Sequence, residues 1–233
     1  MPFRLQTLKH SQRFGQKCAF LAAAFLFSIL VSFLPQKASA QTKLIRVGNR
    51  LLVAVVQFPK FQSVRISGVV NIGDEAKISE ALSGLIPGKN IRIWVGNFGG
   101  GWMPTVNGMR AKLEQTCRVE KGCRIHSYVQ EGRECTSACI VLFMTGQVRT
   151  SGLTSVFGFH SAYVKLPFKV KIPGYGKNAY AGAGVSTQWL ATNSGIMSGD
   201  DVTYIHGEDL KDSNIVTRVI DMNRLKMVWT KAP

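Results

Sequence analysis

The sequence predicts an α/β fold built on parallel strands. Residues 91–95 form a short, almost wholly apolar run, which is typical of a strand buried inside a sheet. Helical periodicity flanks that run, over residues 74–85 on one side and 106–113 on the other. Strands that alternate with helices in this way favour a parallel sheet. The glycine run 99–101, between the strand and the second helix, predicts a turn.

Strand patterns recur elsewhere, at 44–56 (a pair of strands about Gly48-Asn49), 64–70, 124–129 and 156–159. A polar loop over 130–134 leads to an apolar helix that is predicted to begin near Ser137. Residues 163–184 are rich in Lys, Gly, Pro and Tyr, and this composition predicts an irregular surface segment. Helical character resumes at Ser186.

The first 40 residues have the pattern of a cleavable secretory signal. They hold five basic residues and no acidic one, and residues 18–34 are an unbroken run of apolar residues and serine. Ala38-Ser39-Ala40 then supplies the small side chains that signal peptidase reads. The alternative is a retained membrane anchor, but the run is near the lower limit for spanning a bilayer. We therefore expect a periplasmic or secreted bacterial protein that meets the membrane only through its uncleaved signal.

The chain that follows the signal is long enough for one domain with a sizeable core. Within it, residues 41–61 are predicted to form N-terminal strands and residues 62–233 the main domain. Its 24 Lys and Arg against 13 Asp and Glu give a net charge of +11, which favours anionic partners. The basic residues are scattered and lack the aromatic interleaving of a nucleic-acid module, so we expect a solvated basic surface and no nucleic-acid partner.

Four cysteines remain after the signal: Cys117, Cys123, Cys135 and Cys139. An even number in an exported chain predicts two disulfides, for which three connectivities exist. Local pairing, Cys117 with Cys123 and Cys135 with Cys139, is favoured if the geometry of the second pair allows it. Zinc is the competing interpretation. The spacings C-x5-C and C-x3-C lack the C-x2-C knuckle of structural zinc sites, so we expect neither a metal nor another cofactor.

Ser137 is a candidate nucleophile because it lies where a loop becomes a helix. The first amides of a helix have no internal partners and the helix dipole makes that end positive, so the Ala138 N–H is a candidate oxyanion donor. Glycine lets a backbone approach a ligand closely, which makes Gly99 and Gly100 candidates for the second donor. The alternative is that Ser137 is an N-cap, whose hydroxyl accepts a bond from a backbone N–H.

Three histidines follow the signal, and a serine nucleophile needs one as a base. His160 ends a predicted strand, where side chains commonly line a cleft, and it is the candidate base. His126 lies within an apolar strand and is expected to pack there. His206 is predicted to lie in a polar loop and to be solvated.

Three motifs in order along the chain, Cys135-Thr-Ser-Ala-Cys139, Gly146-Gln-Val-Arg149 and Gly158-Phe-His-Ser161, carry a family resemblance. They resemble the Clp-type serine peptidase branch of the crotonase-like superfamily, and within it an exported bacterial subgroup. The resemblance covers roughly residues 62–220.

This resemblance implies a Clp/crotonase-like spiral of ββα units, with Ser137 as nucleophile and His160 as base. It also implies that the amides of Gly99, Gly100 and Ala138 form the oxyanion hole. Asp74 is implied to be a fold-position residue, and assembly into homo-oligomers is implied as well.

The sequence departs from the peptidase pattern where the acid that orients the histidine should lie. The resemblance places it several tens of residues after His160, among the candidates Asn193, Asp200, Asp201 and Asp209, of which we name Asp201. In addition, residues 117–123 look like an insertion, and Phe98 stands where a proline is usual. Two functions follow: a serine hydrolase that cleaves peptide or other acyl bonds through an acyl-enzyme, or a catalytically inactive binding or scaffold protein of the cell envelope. A third interpretation is salt-sensitive recognition of an anionic envelope component by the basic surface.

Overall fold

The computed structural model describes residues 42–47, 50–118, 122–165, 169–172, 174–198 and 201–221. The predicted signal, residues 1–40, and the Gly48-Asn49 turn lie outside them. In the described ranges, no helix is both long enough and apolar enough to cross a lipid bilayer.

The described strands are β1 (Thr42–Val47), β2 (Leu51–Gln57), β3 (Gln62–Val70), β4 (Ile91–Gly101), β5 (Ile125–Val129), β6 (Glu134–Thr136), β7 (Val148–Gly152), β8 (Val156–Phe159), β9 (Tyr163–Lys165), β10 (Lys169–Lys171), β11 (Thr203–His206) and β12 (Arg218–Ile220). The described helices are α1 (Glu75–Leu82), α2 (Met103–Arg118), α3 (Ala138–Phe143), α4 (Tyr175–Ala183), α5 (Thr187–Thr192) and α6 (Ser194–Ser198). A 3-10 helix covers Gly207–Leu210.

The central sheet has the strand order β1-β2-β3-β4-β5-β7-β12. Strands β3, β4, β5, β7 and β12 run parallel, whereas β1 and β2 form an antiparallel hairpin that joins the sheet at β3. The α/β fold with a parallel sheet is confirmed. Helices connect successive parallel strands, as the alternating pattern in the sequence predicts.

A second row of strands branches from β4. Strand β4 is long because its first half pairs with β5 and its second half pairs with β6, where Phe98 lies opposite Cys135. Strand β6 runs parallel to β8, and β8 pairs antiparallel with β11. The chain thus repeats a ββα unit, as β5-β6-α3 and again as β7-β8-α4, with one strand of each unit in each row.

The core lies between the central sheet and its helices. Ile91, Ile93 and Val95 alternate along β4 and are fully buried, and Val106 and Leu113 of α2 are buried too. Each fully buried side chain of this size contributes roughly 1.5–3 kcal/mol. All six residues of α3 are buried. A helix that is apolar on every side is buried inside the molecule. The first residue of α3 therefore lies in the core.

The prediction of a turn at the glycine run is wrong, because β4 continues through it to Gly101. Gly100 and Gly101 have φ angles of 75° and 114°, which residues with a Cβ rarely adopt. The pairing of β4 with β3 shifts register at Gly68, opposite Phe98. The glycines let β4 bend at the point where its pairing partner changes from β5 to β6. They do not reverse the direction of the chain.

The prediction of an irregular segment over 163–184 is also wrong. Strands β9 and β10 pair there as an antiparallel hairpin, and α4 follows. Tyr180 of α4 is only 2% exposed, and its ring lies 5.7 Å from that of Phe159. The buried Tyr180 ring therefore packs α4 against the core, although the segment is rich in glycine.

Both local disulfides predicted from the spacing are confirmed. Cys117 pairs with Cys123 and Cys135 with Cys139, at Cα–Cα distances of 5.4 and 5.3 Å. These distances lie within the ordinary range for disulfides. The four cysteines that were candidate zinc ligands are therefore bonded to one another.

Candidate active site

Ser137 and His160 each directly follow one of two neighbouring parallel strands, at the same end of the pair. Strand β6 ends at Thr136 and β8 ends at Phe159, and Thr136 lies opposite Gly158 in the pairing. Neighbouring strands lie about 4.8 Å apart. The serine and the histidine, 23 positions apart in the sequence, are thus adjacent at one edge of the second row of strands.

The backbone of Ser137 has an unusual conformation, with φ 59° and ψ −125°. Its N–H donates to the Gly158 carbonyl oxygen at 2.9 Å, and its own carbonyl accepts from Ile140 N–H at 3.0 Å, which begins α3. A non-glycine residue at positive φ is uncommon, and such residues cluster at active sites and other functional positions. Ser137 therefore occupies a sharp bend between β6 and α3.

The alternative of Ser137 as a side-chain N-cap is wrong. Its hydroxyl makes no capping bond and no hydrogen bond with any residue in the described part of the chain. Ser186 shows the contrast, because its Oγ accepts the Trp189 N–H at 3.3 Å and caps α5. Ser137 is half-buried, with a hydroxyl that its own helix does not use.

Gly100 lies directly against the start of α3. A Cβ added to Gly100 would be 2.5 Å from the Ala138 nitrogen and 2.8 Å from the Cys139 nitrogen. The first N–H groups of a helix have no acceptor inside that helix. Gly99, the residue before, would meet the Val69 side chain of β3, at 3.1 Å. The structure thus brings Gly100 and the Ala138 amide to one place beside Ser137, whereas Gly99 faces the neighbouring strand.

His160 is half-buried and its position is fixed by the residue before it. Phe159 packs against Tyr180 and against Trp189, at ring separations of 5.7 and 5.4 Å. The His160 Nδ1 lies 2.6 Å from the Ser161 carbonyl oxygen. A carbonyl only accepts hydrogen bonds, so Nδ1 is the donor in this contact, and Nε2 is the ring nitrogen that could accept a proton.

Asp201 lies just before β11, which pairs antiparallel with β8 so that Thr203 is opposite Phe159. This register places Asp201 at the same end of β8 as His160. Its side chain is exposed, and within the described ranges it forms no hydrogen bond or ion pair. His206, at the far end of β11, is exposed as predicted, but it belongs to a strand and not to a loop. His126 is half-buried on the central sheet, where burial, together with Arg92 and Arg124, lowers its pKa.

A polar cluster on β6 and β11 was not predicted from the sequence. Thr136 Oγ1 donates to Glu134 Oε1, and the Tyr204 hydroxyl donates to the same oxygen at 3.1 Å. Burial raises the pKa of the Tyr204 hydroxyl, and the bond to Glu134 raises it further. The alternation Glu134-Cys135-Thr136, polar-apolar-polar, fits a strand, but three residues are too few for the pattern to predict one.

A groove of about 470 Å³ opens on the central sheet at the start of β6. Its polar and aromatic lining comes from the strands and from the segment before β6, and includes Arg65, Ser67, Trp94, Asn97, Gln130 and Arg133. Trp94 stacks on Tyr128 at a ring separation of 4.4 Å. Neither arginine forms an ion pair with any described residue, so two arginines line this groove without an acidic partner among those residues.

No cluster of three His, Cys, Asp or Glu side chains suited to a metal occurs among the described residues. Comparison with known proteins gives no matching family model. No curated protein matches the sequence either.

Solved structures do resemble the chain. A methylmalonyl CoA decarboxylase complexed with 2S-carboxypropyl CoA superposes with a TM-score of 0.52 at 11% identity, over 76% of this chain and 74% of the decarboxylase. The chain has the Clp/crotonase-like fold. A point mutant of ClpP1 from Listeria monocytogenes gives a TM-score of 0.46 at 17% identity, over 68% of this chain and 91% of its own. A point mutant of the 1510-N membrane-bound stomatin-specific protease gives 0.48 at 13% identity, over 70% of this chain and 80% of its own.

At such identities the likeness establishes the fold, and a Clp/crotonase-like fold hosts more than one chemistry. What the site can do therefore depends on its own geometry. That geometry is a half-buried hydroxyl at a helix start, an imidazole on the next strand, and glycine backbone against the first helical amides.

Proposed function

We propose that this protein is an exported serine hydrolase that cleaves peptide or other acyl bonds through an acyl-enzyme. The Ser137 oxygen attacks the carbonyl carbon of the substrate while His160 Nε2 takes the hydroxyl proton. The oxyanion that forms is held by backbone N–H groups of Ala138 and of the Gly99-Gly100 pair. His160 returns its proton to the leaving group, and a water activated by the same ring hydrolyses the Ser137 ester.

The backbone of Ser137 is the observation that supports this proposal most. Positive φ turns the residue away from the path of β6, and its hydroxyl is not used to cap α3. A serine that merely starts a helix gains about 1 kcal/mol from capping it, which Ser137 forgoes. The adjacent imidazole and the glycine packed on Ala138 supply the other two parts that acyl transfer requires.

Labelling by a fluorophosphonate probe tests the proposal, because the probe's phosphorus bonds to an activated serine oxygen and fluoride leaves. We expect the wild-type protein to be labelled, and Ser137→Ala and His160→Gln to lose labelling while they keep the fold. Ser186→Ala is the matched control, since it removes a serine that also stands at a helix start. Labelling that persists in Ser137→Ala, or a folded wild-type protein that several such probes leave unmodified, contradicts the proposal.

The role of Asp201 is part of the same proposal. Its carboxylate, just before β11 and beside the end of β8, would stabilise the imidazolium that forms when His160 takes the proton. In the described structure the Ser161 carbonyl already orients the ring. Asp201 would therefore act by charge more than by orientation.

Export belongs to the proposal as well. The two disulfides suit an oxidising compartment, and the pattern of residues 1–40 provides the means of reaching it. Cleavage after Ala40 would make Gln41 the first residue of the mature protein. N-terminal mass spectrometry of the protein from a bacterial periplasmic fraction tests this, and a mature chain that retains residues 1–40 would contradict it.

Homo-oligomer formation is a further part of the proposal, drawn from the resemblance to the Clp/crotonase superfamily. Light scattering coupled to size-exclusion chromatography measures the mass of the assembly. A single monomeric mass across a wide concentration range would contradict it.

The groove on the central sheet favours a second candidate function, in which the protein binds an anionic ligand and the fold carries no catalysis. Arginine pairs bidentately with carboxylate and phosphate, and the Trp94 ring offers a flat stacking surface. The groove volume lies within the ordinary range of small-ligand sites. A negatively charged envelope component with a planar or ring-shaped portion would suit it.

Calorimetric titration with inorganic phosphate and with glucuronate tests this binding. Arg65→Gln and Arg133→Gln should each weaken it, and binding should fall as salt rises. Arg218→Gln, at an exposed arginine on β12, is the matched control. Heat of binding that is unchanged in both groove variants contradicts this second function.

A further inference from the structure

The Cys135–Cys139 disulfide encloses the proposed nucleophile. Cys135 lies in β6 and Cys139 is the second residue of α3, so the bond joins the two elements that meet at Ser137. Both cysteines are fully buried. The bond lies between interior groups, where it constrains the backbone, and does not tie down a loose surface loop.

The conformation of Ser137 needs such a constraint. With φ at 59° and ψ at −125° it occupies a region that residues with a Cβ rarely populate, and these conformations persist only where the surroundings over-determine them. Its side chain gives no help, because the hydroxyl bonds to nothing in the described part of the chain. Three local restraints remain: the bond from Ser137 N–H to the Gly158 carbonyl, the bond from Ile140 N–H to the Ser137 carbonyl, and the covalent ring closed by the two cysteines.

The same disulfide also positions the oxyanion donors. The Gly100 backbone is packed against the nitrogens of Ala138 and Cys139, so a movement of Cys139 would change the distance between these groups. Cys135, on the other side, is held by strand pairing with Phe98 and with Phe157. The bond thus fixes α3 relative to β4 and β6 at the point where the proposed chemistry occurs.

We infer that the Cys135–Cys139 disulfide holds Ser137 in its attacking conformation, which makes these two cysteines positioning residues for the nucleophile. The inference rests on the proposed hydrolase function and adds a requirement to it. Neither sulfur takes part in the reaction. Their bond determines where the serine oxygen and the Ala138 amide lie when a carbonyl arrives.

The second disulfide of the chain is a natural control. Cys117–Cys123 spans a loop of similar length, at the end of α2 and before β5. The Cys123 sulfur lies 3.4 Å from the Lys89 carbonyl oxygen, near the start of β4, whereas Gly100 is near the end of that strand. This bond therefore lies near the opposite end of β4, away from Ser137.

The experiment compares two double variants, Cys135→Ala/Cys139→Ala and Cys117→Ala/Cys123→Ala. Short loops of similar length give similar stabilisation when closed, so the thermal midpoints should fall by similar amounts. The rate of fluorophosphonate labelling, measured well below both midpoints, should fall about 100-fold in the first variant and stay near the wild-type rate in the second, because a displacement of about 1 Å at the reacting centre has that effect. Cys135→Val/Cys139→Ala, which restores buried volume, replaces the first variant if that variant does not fold.

The outcomes separate this inference from the proposed function. A labelled wild-type protein with equal labelling rates in both double variants overturns the inference and leaves the hydrolase proposal intact. Equal losses of labelling in both variants also overturn it, because stability alone would then explain the effect. A wild-type protein that takes no probe overturns the proposed function, and the inference falls with it.

Discussion

The backbone N–H of Ser137 donates to the carbonyl oxygen of Gly158 across 2.9 Å. This bond continues the pairing of β6 with β8 by one residue beyond the end of β6. It brings the serine to the strand that carries His160, two positions past Gly158. The proximity of residues 137 and 160 thus follows from the backbone pairing of the sheet.

Gly100→Ala should disrupt the site and lower stability together. Its methyl group would lie 2.5 Å from the Ala138 nitrogen and 2.6 Å from the Thr136 carbonyl oxygen, at a φ of 75°. We expect the free energy of unfolding to fall by about 2–4 kcal/mol, from steric overlap and backbone strain. Urea unfolding measures the loss, and fluorophosphonate labelling should be abolished.

Gly182→Ala is the control for that substitution. Gly182 lies inside α4, and a Cβ there would meet nothing within 4 Å. Alanine favours a helix over glycine by about 0.5–1 kcal/mol, so this variant should be as stable as the wild type or more so. Equal losses at positions 100 and 182 would contradict the close approach of β4 to α3.

Asp201→Asn tests the proposed acid. Removal of a carboxylate that stabilises the imidazolium should slow labelling by at least about tenfold. Asp209→Asn, a change in the 3-10 helix that follows β11, is the matched control. An Asp201→Asn protein that is labelled at the wild-type rate would show that the Asp201 carboxylate does not assist the reaction of Ser137 with the probe.

Arg149 should make a large contribution to the free energy of unfolding. It is 8% exposed, and its guanidinium donates to the carbonyl oxygens of Gly146, Asn214 and Ile215 and to the Asn214 side chain. Burial lowers its pKa, and no carboxylate among the described residues neutralises it. Arg149→Ala would remove the donor from the carbonyls of Gly146 and Ile215, both buried residues, and from Asn214, so we expect a loss of about 3 kcal/mol in urea unfolding.

Arg149→Lys should lose part of that amount, because a lysine ammonium cannot reproduce the fixed fork of donors. Arg218→Ala, which removes an exposed arginine from β12, should change stability by less than about 0.5 kcal/mol. Similar effects at positions 149 and 218 would show that the buried fork contributes nothing.

Asp74→Asn should reveal a pH-dependent contribution to stability. The Arg50 guanidinium, bonded to both oxygens of Asp74 at 2.6 and 2.7 Å, holds the pKa of that buried carboxyl below its usual range. A depressed folded-state pKa stabilises the fold above the unfolded-state pKa, near about 4, and the stabilisation is lost as pH falls through the folded-state value. The thermal midpoint of the variant should therefore lie several degrees below the wild type from about pH 5 to 8.

Below about pH 4 the two midpoints should approach each other, and they should meet once the pH is below the folded-state pKa of Asp74, where the wild-type carboxyl is protonated as well. Asp212→Asn, at an exposed position, is the control and should leave the midpoint unchanged. A difference between wild type and Asp74→Asn that persists undiminished at low pH would contradict a charged Arg50–Asp74 pair. The pair lies where β3 leads into α1, which agrees with a structural role for Asp74.

Local patterns in the sequence were enough to predict the parts of the fold with strong periodicity. The apolar run of β4 and the helical spacing of α2 are each set by neighbours in sequence, and the β1–β2 hairpin is a short-range structure. The two disulfides were also predictable, since each closes a short loop. These features need no knowledge of distant contacts.

Strand β6 could not be predicted in the same way, because it has only three residues. Its pairing partners, Phe98 and Phe157, lie well before and after it in the sequence, so the strand exists only in the assembled sheet. The same holds for the glycine run, whose role depends on the change in the pairing partner of β4 from β5 to β6. The position of α4 depends on one buried tyrosine, Tyr180, that composition alone does not distinguish from its exposed neighbours.

The two candidate sites differ in the same respect. Ser137, His160, Gly100 and Ala138 could be proposed from motifs and element ends, and the fold brings them together. The groove could not be foreseen, because Arg65 and Arg133 lie far apart in sequence, one in β3 and one just before β6, and come together only in the folded chain. A scattered positive charge gives no indication of which two arginines will share a cavity.

Under the proposed export, the bond that encloses Ser137 has a consequence for the newly made chain. Disulfides do not persist in the reducing cytoplasm, so a chain waiting there for translocation would carry two free thiols on either side of its serine. If the proposed hydrolase depends on that bond as we infer, it would be latent until it is oxidised. It would need no propeptide and no inhibitor to spare the proteins of the cell that makes it, because arrival in the oxidising compartment would itself be the activating event.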